Sequence, residues 1–238
     1  MPSASKTRTT SRADPQEVVT LLKDRLEPLG DRAFLRRFAS EVDAAGWACT
    51  VRAARIAGVE EVVLAYDSVA VTTIDACTDL NQVEASLNSV LDRGISLVSR
   101  RLIEIPVLYD GVDLKAVAQQ LELDQSEVIS LHAGMMYQVF AIGFRPGFPY
   151  LGYLDQRIAG LGRLATPRTS VARGSVAIVG RQTGIYPDES PGGWHLIGRT
   201  PLAIVDVERD HFPISAGDRV QFIPIGIDEY HARLGESL

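Results

Sequence analysis

Lysine is scarce in this chain. Of 24 basic residues only Lys6, Lys23 and Lys115 are lysines, and the other 21 are arginines. None of the three lysines follows a glycine, so a Gly-x-x-x-x-Gly-Lys-Ser/Thr phosphate loop is excluded. Cysteine is scarcer still. Cys49 and Cys77 make neither a disulfide framework nor a metal knuckle, which points to a reducing, cytoplasmic setting. His132, His195, His211 and His231 lack metal-like spacing, and no His-Glu-x-x-His occurs, so no metal site is expected. A Gly-x-Ser-x-Gly elbow is missing, as is the amidase pattern of serines and a lysine in a Gly/Ser-rich run. No apolar stretch reaches the ~18 residues of a membrane span, which excludes a membrane role for the bulk of the chain. A net charge of -6 argues against a nucleic-acid binder working through a basic surface.

What remains is a globular composition: 238 residues, 46% hydrophobic and 23% charged, enough for one large domain or two modest ones. Residues 1–14 are rich in Ser and Thr and carry Lys6, Arg8 and Arg12 with no acid before Asp14. That composition overlaps a transit peptide's but has no apolar core; a flexible tail is expected. Pro15 opens a helix to Leu29, with Val18, Val19, Leu22, Leu26 and Leu29 at helical spacing and Pro28-Leu29-Gly30 ending it. Residues 31–102 then read as a small α/β domain in the order β-α-β-β-α. Strands are expected at 33–38, 61–66 and 68–74, with helices over 40–56 and, behind an Asp79 N-cap, along Val83, Leu87, Val90 and Leu91.

Residues 103–238 differ in character. A strand at 103–108 and short helices at 113–121 and 125–131 lead into residues 143–201, which hold 11 of the 20 glycines and 6 of the 12 prolines. Short β-branched runs at 175–179, 202–207 and 219–224, punctuated by Gly and Pro, predict a sandwich or barrel. The same 59 residues carry seven arginines against three acids, Asp155, Asp188 and Glu189. A positive, glycine-rich region in an acidic chain suits a small anionic ligand gripped by Arg forks, whereas arginines merely scattered over a surface would never converge. Three runs stand out: Gly143-Phe-Arg-Pro-Gly-Phe-Pro-Tyr-Leu-Gly152, Thr166-Pro-Arg168, and the stretch from Gly180 to Trp194, followed by Ile197-Gly-Arg-Thr-Pro201. Phe148, Tyr150, Tyr186 and Trp194 are candidate pocket walls. Gln182, Thr183, Ser190 and Arg199 offer directional polar groups, and Gly192 and Gly193 allow close backbone approach.

These runs, with Ile105-Pro-Val107, Asp113-Leu114 and Leu131-His132, resemble the KipI family, which includes the 5-oxoprolinase B subunit and members labelled allophanate hydrolase subunit 1. The resemblance is strong over residues 103–206, fits 31–102 in length and order, and omits the first 30. It implies an α+β N-terminal domain followed by a mainly-β, cyclophilin-like barrel. It also implies three roles. One is a component of an ATP-dependent 5-oxoprolinase opening 5-oxo-L-proline to L-glutamate, with a KipA-type C subunit and a LamB/YcsF-type A subunit as partners. Another is an inhibitor of a sensor histidine kinase. The third is a component related to urea carboxylase or allophanate hydrolase. In the first role Arg145, Arg168 and Arg199 are the expected cationic donors, with Gln182 and Tyr186 orienting the lactam and His132 the general base. ATP is the expected co-substrate; its site is unidentified and assigned to a partner or an interface.

Overall fold

A computed structural model describes residues 26–74, 79–90 and 101–238. The expected helix over 15–29 lies outside these up to residue 25, and where it enters them it is not a helix. Leu26–Pro28 form strand β1, paired antiparallel with β2 (Ala33–Arg37) in the register Leu26↔Arg36. The reason is local. Gly30, at φ 71°, turns the chain, and the Leu29 N–H donates to the Ala33 carbonyl at 2.7 Å. Leu26 is buried and Leu29 half exposed, as a strand's two faces require.

Contacts divide the described residues into two compact units, the first comprising residues 26–63, 67–74 and 79–90. After β2 it contains α1 (Glu41–Ala54), β3 (Val59–Ala65), β4 (Ser68–Thr73) and α2 (Leu80–Ser89). The sheet order is β1-β2-β4-β3. Ser40 caps α1 by accepting the Asp43 N–H at 3.2 Å, and Asp79 caps α2 through Asn81 and Gln82. Small residues Ala44, Ala45 and Ala48 on α1's buried face accompany Trp47, whose ring meets Phe38 at 5.6 Å.

The second unit comprises Leu64–Tyr66 and residues 101–238. Its elements are β5 (Leu102–Val107), α3 (Leu114–Gln120), α4 (Gln125–Ala133), β6 (Met136–Ile142), β7 (Pro149–Gly152), β8 (Arg168–Val171), β9 (Ser175–Val179), β10 (Gln182–Ile185), β11 (Ser190–Gly192), β12 (His195–Arg199), β13 (Arg219–Pro224) and α5 (Ile227–Ala232). Seven strands form one sheet in the order β12-β9-β10-β7-β6-β13-β5, antiparallel except for the β13–β5 pair, while β8 and β11 pair separately. A bridge between Leu108, just past β5, and Arg199, at the end of β12, joins the two edges, so the sheet is a nearly closed barrel. Alternate residues fill it: Val176, Ile178, Leu151, Val139, Val220 and Phe222 belong to the central core, whereas Ala177 of the same β9 faces a separate aromatic cluster.

Residues 202–207 are not a strand. After Pro201 the chain bends, Ala203 bridges to Ser237, and its N–H donates to Glu236 at 2.7 Å. The β-branched run caps the barrel with Leu202 and Ile204 buried and Val207 exposed.

Candidate functional site

The 143–201 region is built around Phe148. The loop before it is fastened by Gly143 N–H to the Phe148 carbonyl (3.1 Å) and Phe148 N–H to the Arg145 carbonyl (3.0 Å). Gly147 sits at φ 73°, where a Cβ would also meet Val205 at 2.1 Å, so only glycine fits. Phe148 meets Tyr150, Tyr186 and Trp194 edge-on at 5.1, 5.3 and 5.5 Å, and Tyr150 meets Trp194 at 5.9 Å. The four expected wall residues therefore come together, and Phe148, Tyr186 and Trp194 are buried. Two glycines make room. A Cβ at Gly184 would lie 2.9 Å from Phe148, and one at Gly192 would lie 2.2 Å from the Tyr186 oxygen. Burial raises the Tyr186 phenol above its usual range, partly offset by its bond to the Trp194 backbone and by the nearby Arg163 and Arg168 charges. Ser190 is buried, and its Oγ has no partner among the described residues. Gly193 lines no ring; its carbonyl accepts the Leu164 N–H at 2.8 Å.

The three nominated arginines do not offer free forks. Arg145 is bidentate to Asp188. Arg168 donates to Asp113 Oδ1 at 2.6 Å and to the Trp194 carbonyl at 3.5 Å, while Asp113 Oδ2 accepts the Leu196 N–H at 2.7 Å. Arg199 grips Asp110 through Nε (3.0 Å) and Nη2 (2.7 Å), lies 4.5 Å over the Tyr230 ring, and exchanges two backbone bonds of 2.9 Å with Leu108. Each charge is paired within the barrel unit: Arg168 ties β8 to the segment before α3, and Arg199 fastens the seam.

His132 is the expected general base. It closes the last turn of α4 and is wholly buried, stacked 4.6 Å from Phe222. Nδ1 lies 2.8 Å from the Tyr109 hydroxyl and Nε2 lies 2.9 Å from Thr183 Oγ1. Thr183 gives its single proton to the Ala177 carbonyl at 3.0 Å, so it accepts from the ring. The imidazole therefore carries its proton on Nε2 and accepts the Tyr109 O–H at Nδ1. Burial pushes its pKa down to about 3. Successive strand residues face opposite ways, and in β10 Thr183 turns inward to His132 while Gly184 turns outward to Phe148. The imidazole and the aromatic cluster occupy opposite faces of the sheet, and a base at His132 cannot serve a ligand at the rings. Gln182 donates to the Tyr66 hydroxyl. Asp110, Asp113 and Tyr109 were missed as partners because they lie 89, 55 and 23 residues from Arg199, Arg168 and His132.

Comparison with known proteins supplies what this geometry leaves open. A family model for the carboxyltransferase domain, subdomain C and D, matches residues 24–214. The chain belongs to that family. It is 47% identical over 144 residues to the 5-oxoprolinase B subunit of Bacillus subtilis, covering 59% of this chain and 60% of that protein. To the 5-oxoprolinase B subunit of Haemophilus influenzae it is 42% identical over 173 residues, covering 71% and 80%. The chain thus spans less than two thirds of the first of these relatives. Among solved structures it is similar to TTHA0988, with TM-score 0.73 and 35% identity over 82% of this chain and 40% of that one. The Kluyveromyces lactis urea carboxylase shares the fold alone, with TM-score 0.62 and 19% identity over 87% of this chain and 22% of that one.

Proposed function

We propose that this chain is the B subunit of an ATP-dependent 5-oxoprolinase, acting in a cytoplasmic hetero-oligomer with a KipA-type C subunit and a LamB/YcsF-type A subunit. The observation that carries the reading is its 47% and 42% identity to two proteins named as B subunits of 5-oxoprolinase. An α+β domain followed by a cyclophilin-like barrel is the arrangement this reading carries. A lactam is a poor electrophile and its nitrogen a poor leaving group; phosphorylating the lactam oxygen with ATP activates the carbonyl for attack by water. Such a site needs cationic donors for phosphate and carboxylate. Arg145, Arg168 and Arg199 are each held by an aspartate, and no phosphate loop exists, so the ATP site is assigned to a partner or an interface.

The test is 5-oxo-L-proline-dependent ATP hydrolysis by the chain alone and with the A and C components added. No turnover alone and turnover in the mixture is expected. Full activity of the isolated chain would sink the requirement for partners, and an inactive full mixture would favour a kinase inhibitor.

A further inference from the structure

The seven arginines of residues 143–201 fall into two groups. Arg145, Arg157, Arg168 and Arg199 each bind a carboxylate, and Arg173 donates to the Val205 carbonyl. The side chains of Arg163 and Arg181 have no hydrogen-bond or ion-pair partner among the described residues. Of these two, Arg181 lines a cavity. It sits in the β9–β10 turn directly after Gly180, which adopts φ 55°, and its guanidinium carbon lies 4.0 Å over the Tyr153 ring. The cavity is a wide-open depression of about 690 Å³. Its volume falls within the roughly 300–1,000 Å³ typical of small-molecule pockets.

The walls are fixed by backbone bonds. Leu154 N–H donates to the Arg181 carbonyl at 2.9 Å, and Gly160 N–H donates to Gly180 at 2.6 Å. Met135, Leu154 and Ala159 supply the apolar surface. Asp155 supplies a carboxylate: its Oδ1 accepts the Arg157 N–H at 2.8 Å, while Oδ2 has no partner among the described residues. A cation without a carboxylate partner thus lines the same cavity as a partly engaged anion, together with aromatic and aliphatic residues.

We infer that this cavity binds a small carboxylate that also carries an N–H group, of amino-acid or cyclic-amide type. Arg181 takes the carboxylate through its planar fork, and Asp155 accepts the N–H. A guanidinium already held over an aromatic face loses little freedom when it binds, which favours a two-point grip on carboxylate. The opposed Asp155 disfavours phosphate and polyphosphate, so the cavity is not a nucleotide site. The ligand class rests on the reaction proposed above, and the place rests on Arg181 and Asp155.

The test is titration of the full chain with 5-oxo-L-proline, L-glutamate, acetate and inorganic phosphate, followed by calorimetry and NMR. The first two should bind and shift the signals of Arg181 and Asp155. Acetate, lacking the N–H, should bind about ten-fold more weakly or worse. Arg181→Gln is exposed and should fold normally, and it should weaken both preferred probes by about ten-fold or more. Asp155→Asn should weaken L-glutamate more than acetate. Failure of both preferred probes to bind overturns the inference, as does unchanged binding in Arg181→Gln or tighter binding of phosphate than of either. Turnover in the assembled complex is measured separately, so loss of this site and loss of the proposed activity give different results.

Discussion

A single buried imidazole illustrates how environment decides a residue's job. His132 lies in the barrel core with both nitrogens bonded, and its pKa is pushed down to about 3 because burial penalises the charged ring. In an unfolded chain the same ring titrates near its ordinary value of about 6.5. Between pH 6.5 and about 3 the unfolded state therefore binds one proton more than the folded state, and folding stability falls as pH is lowered. Above that window both states are neutral there and His132 adds no pH dependence. The expected slope is about 1 kcal/mol per pH unit. Urea denaturation of the parent chain and of His132→Gln at pH 7 and pH 5 isolates it, because other titrating groups are common to both. The parent should lose more stability than the variant on acidification; parallel losses would show that His132 protonates freely in the folded state. His132 directly follows the helix expected over 125–131, but its partners Tyr109 and Thr183 lie 23 and 51 residues away, and no local pattern connects them.

Among the strands, the glycines of the 180–194 run make a paired prediction. At Gly192 a methyl group would lie 2.2 Å from the Tyr186 oxygen and 2.8 Å from its ring, whereas at Gly193 the nearest atom is Pro167 Cγ at 3.5 Å. Gly192→Ala should destabilise the chain by about 1–3 kcal/mol through overpacking. Gly193→Ala should stay within about 0.5 kcal/mol. Equal effects in urea denaturation would show that Tyr186 is not packed against Gly192. The aromatic cluster was legible because glycine and proline turns alternate there with large rings, which have few places to go except against each other. Strands such as Ser175–Val179 and Arg219–Pro224 were legible from β-branched composition between turns. Strand β1 was not, because Leu26 and Leu29 fit a helical spacing as well as a hairpin, and only pairing with β2 decides between them. Residues 202–207 misled for the converse reason: their partners are the last residues of the chain. The cations were visible and their fates were not, since the aspartates holding Arg145, Arg168 and Arg199 lie 43, 55 and 89 residues away.

At the scale of the barrel unit, the longest of those separations is also the one that closes the sheet. Strands β5 and β12 are its two edges, and the Leu108–Arg199 bridge joins them. The Arg199 side chain reinforces that seam from outside by gripping Asp110 and covering Tyr230 of α5. Both charges are partly exposed, 43% and 39%, so the pair contributes at most about 1 kcal/mol and weakens with salt. Arg199→Lys keeps the charge but loses the two-nitrogen grip and the flat contact with the ring. The melting temperature should therefore fall by about 2–4 °C, the shift expected of roughly 1 kcal/mol in a chain of this length. The deficit should shrink in high salt, while kcat/KM of the assembled complex stays within about two-fold of the parent. A substrate-gripping arginine gives the opposite pattern, an unchanged melting temperature and a loss of ten-fold or more in kcat/KM. Thermal denaturation and steady-state kinetics on one preparation separate the two, and that second pattern would return Arg199 from the seam to the active site.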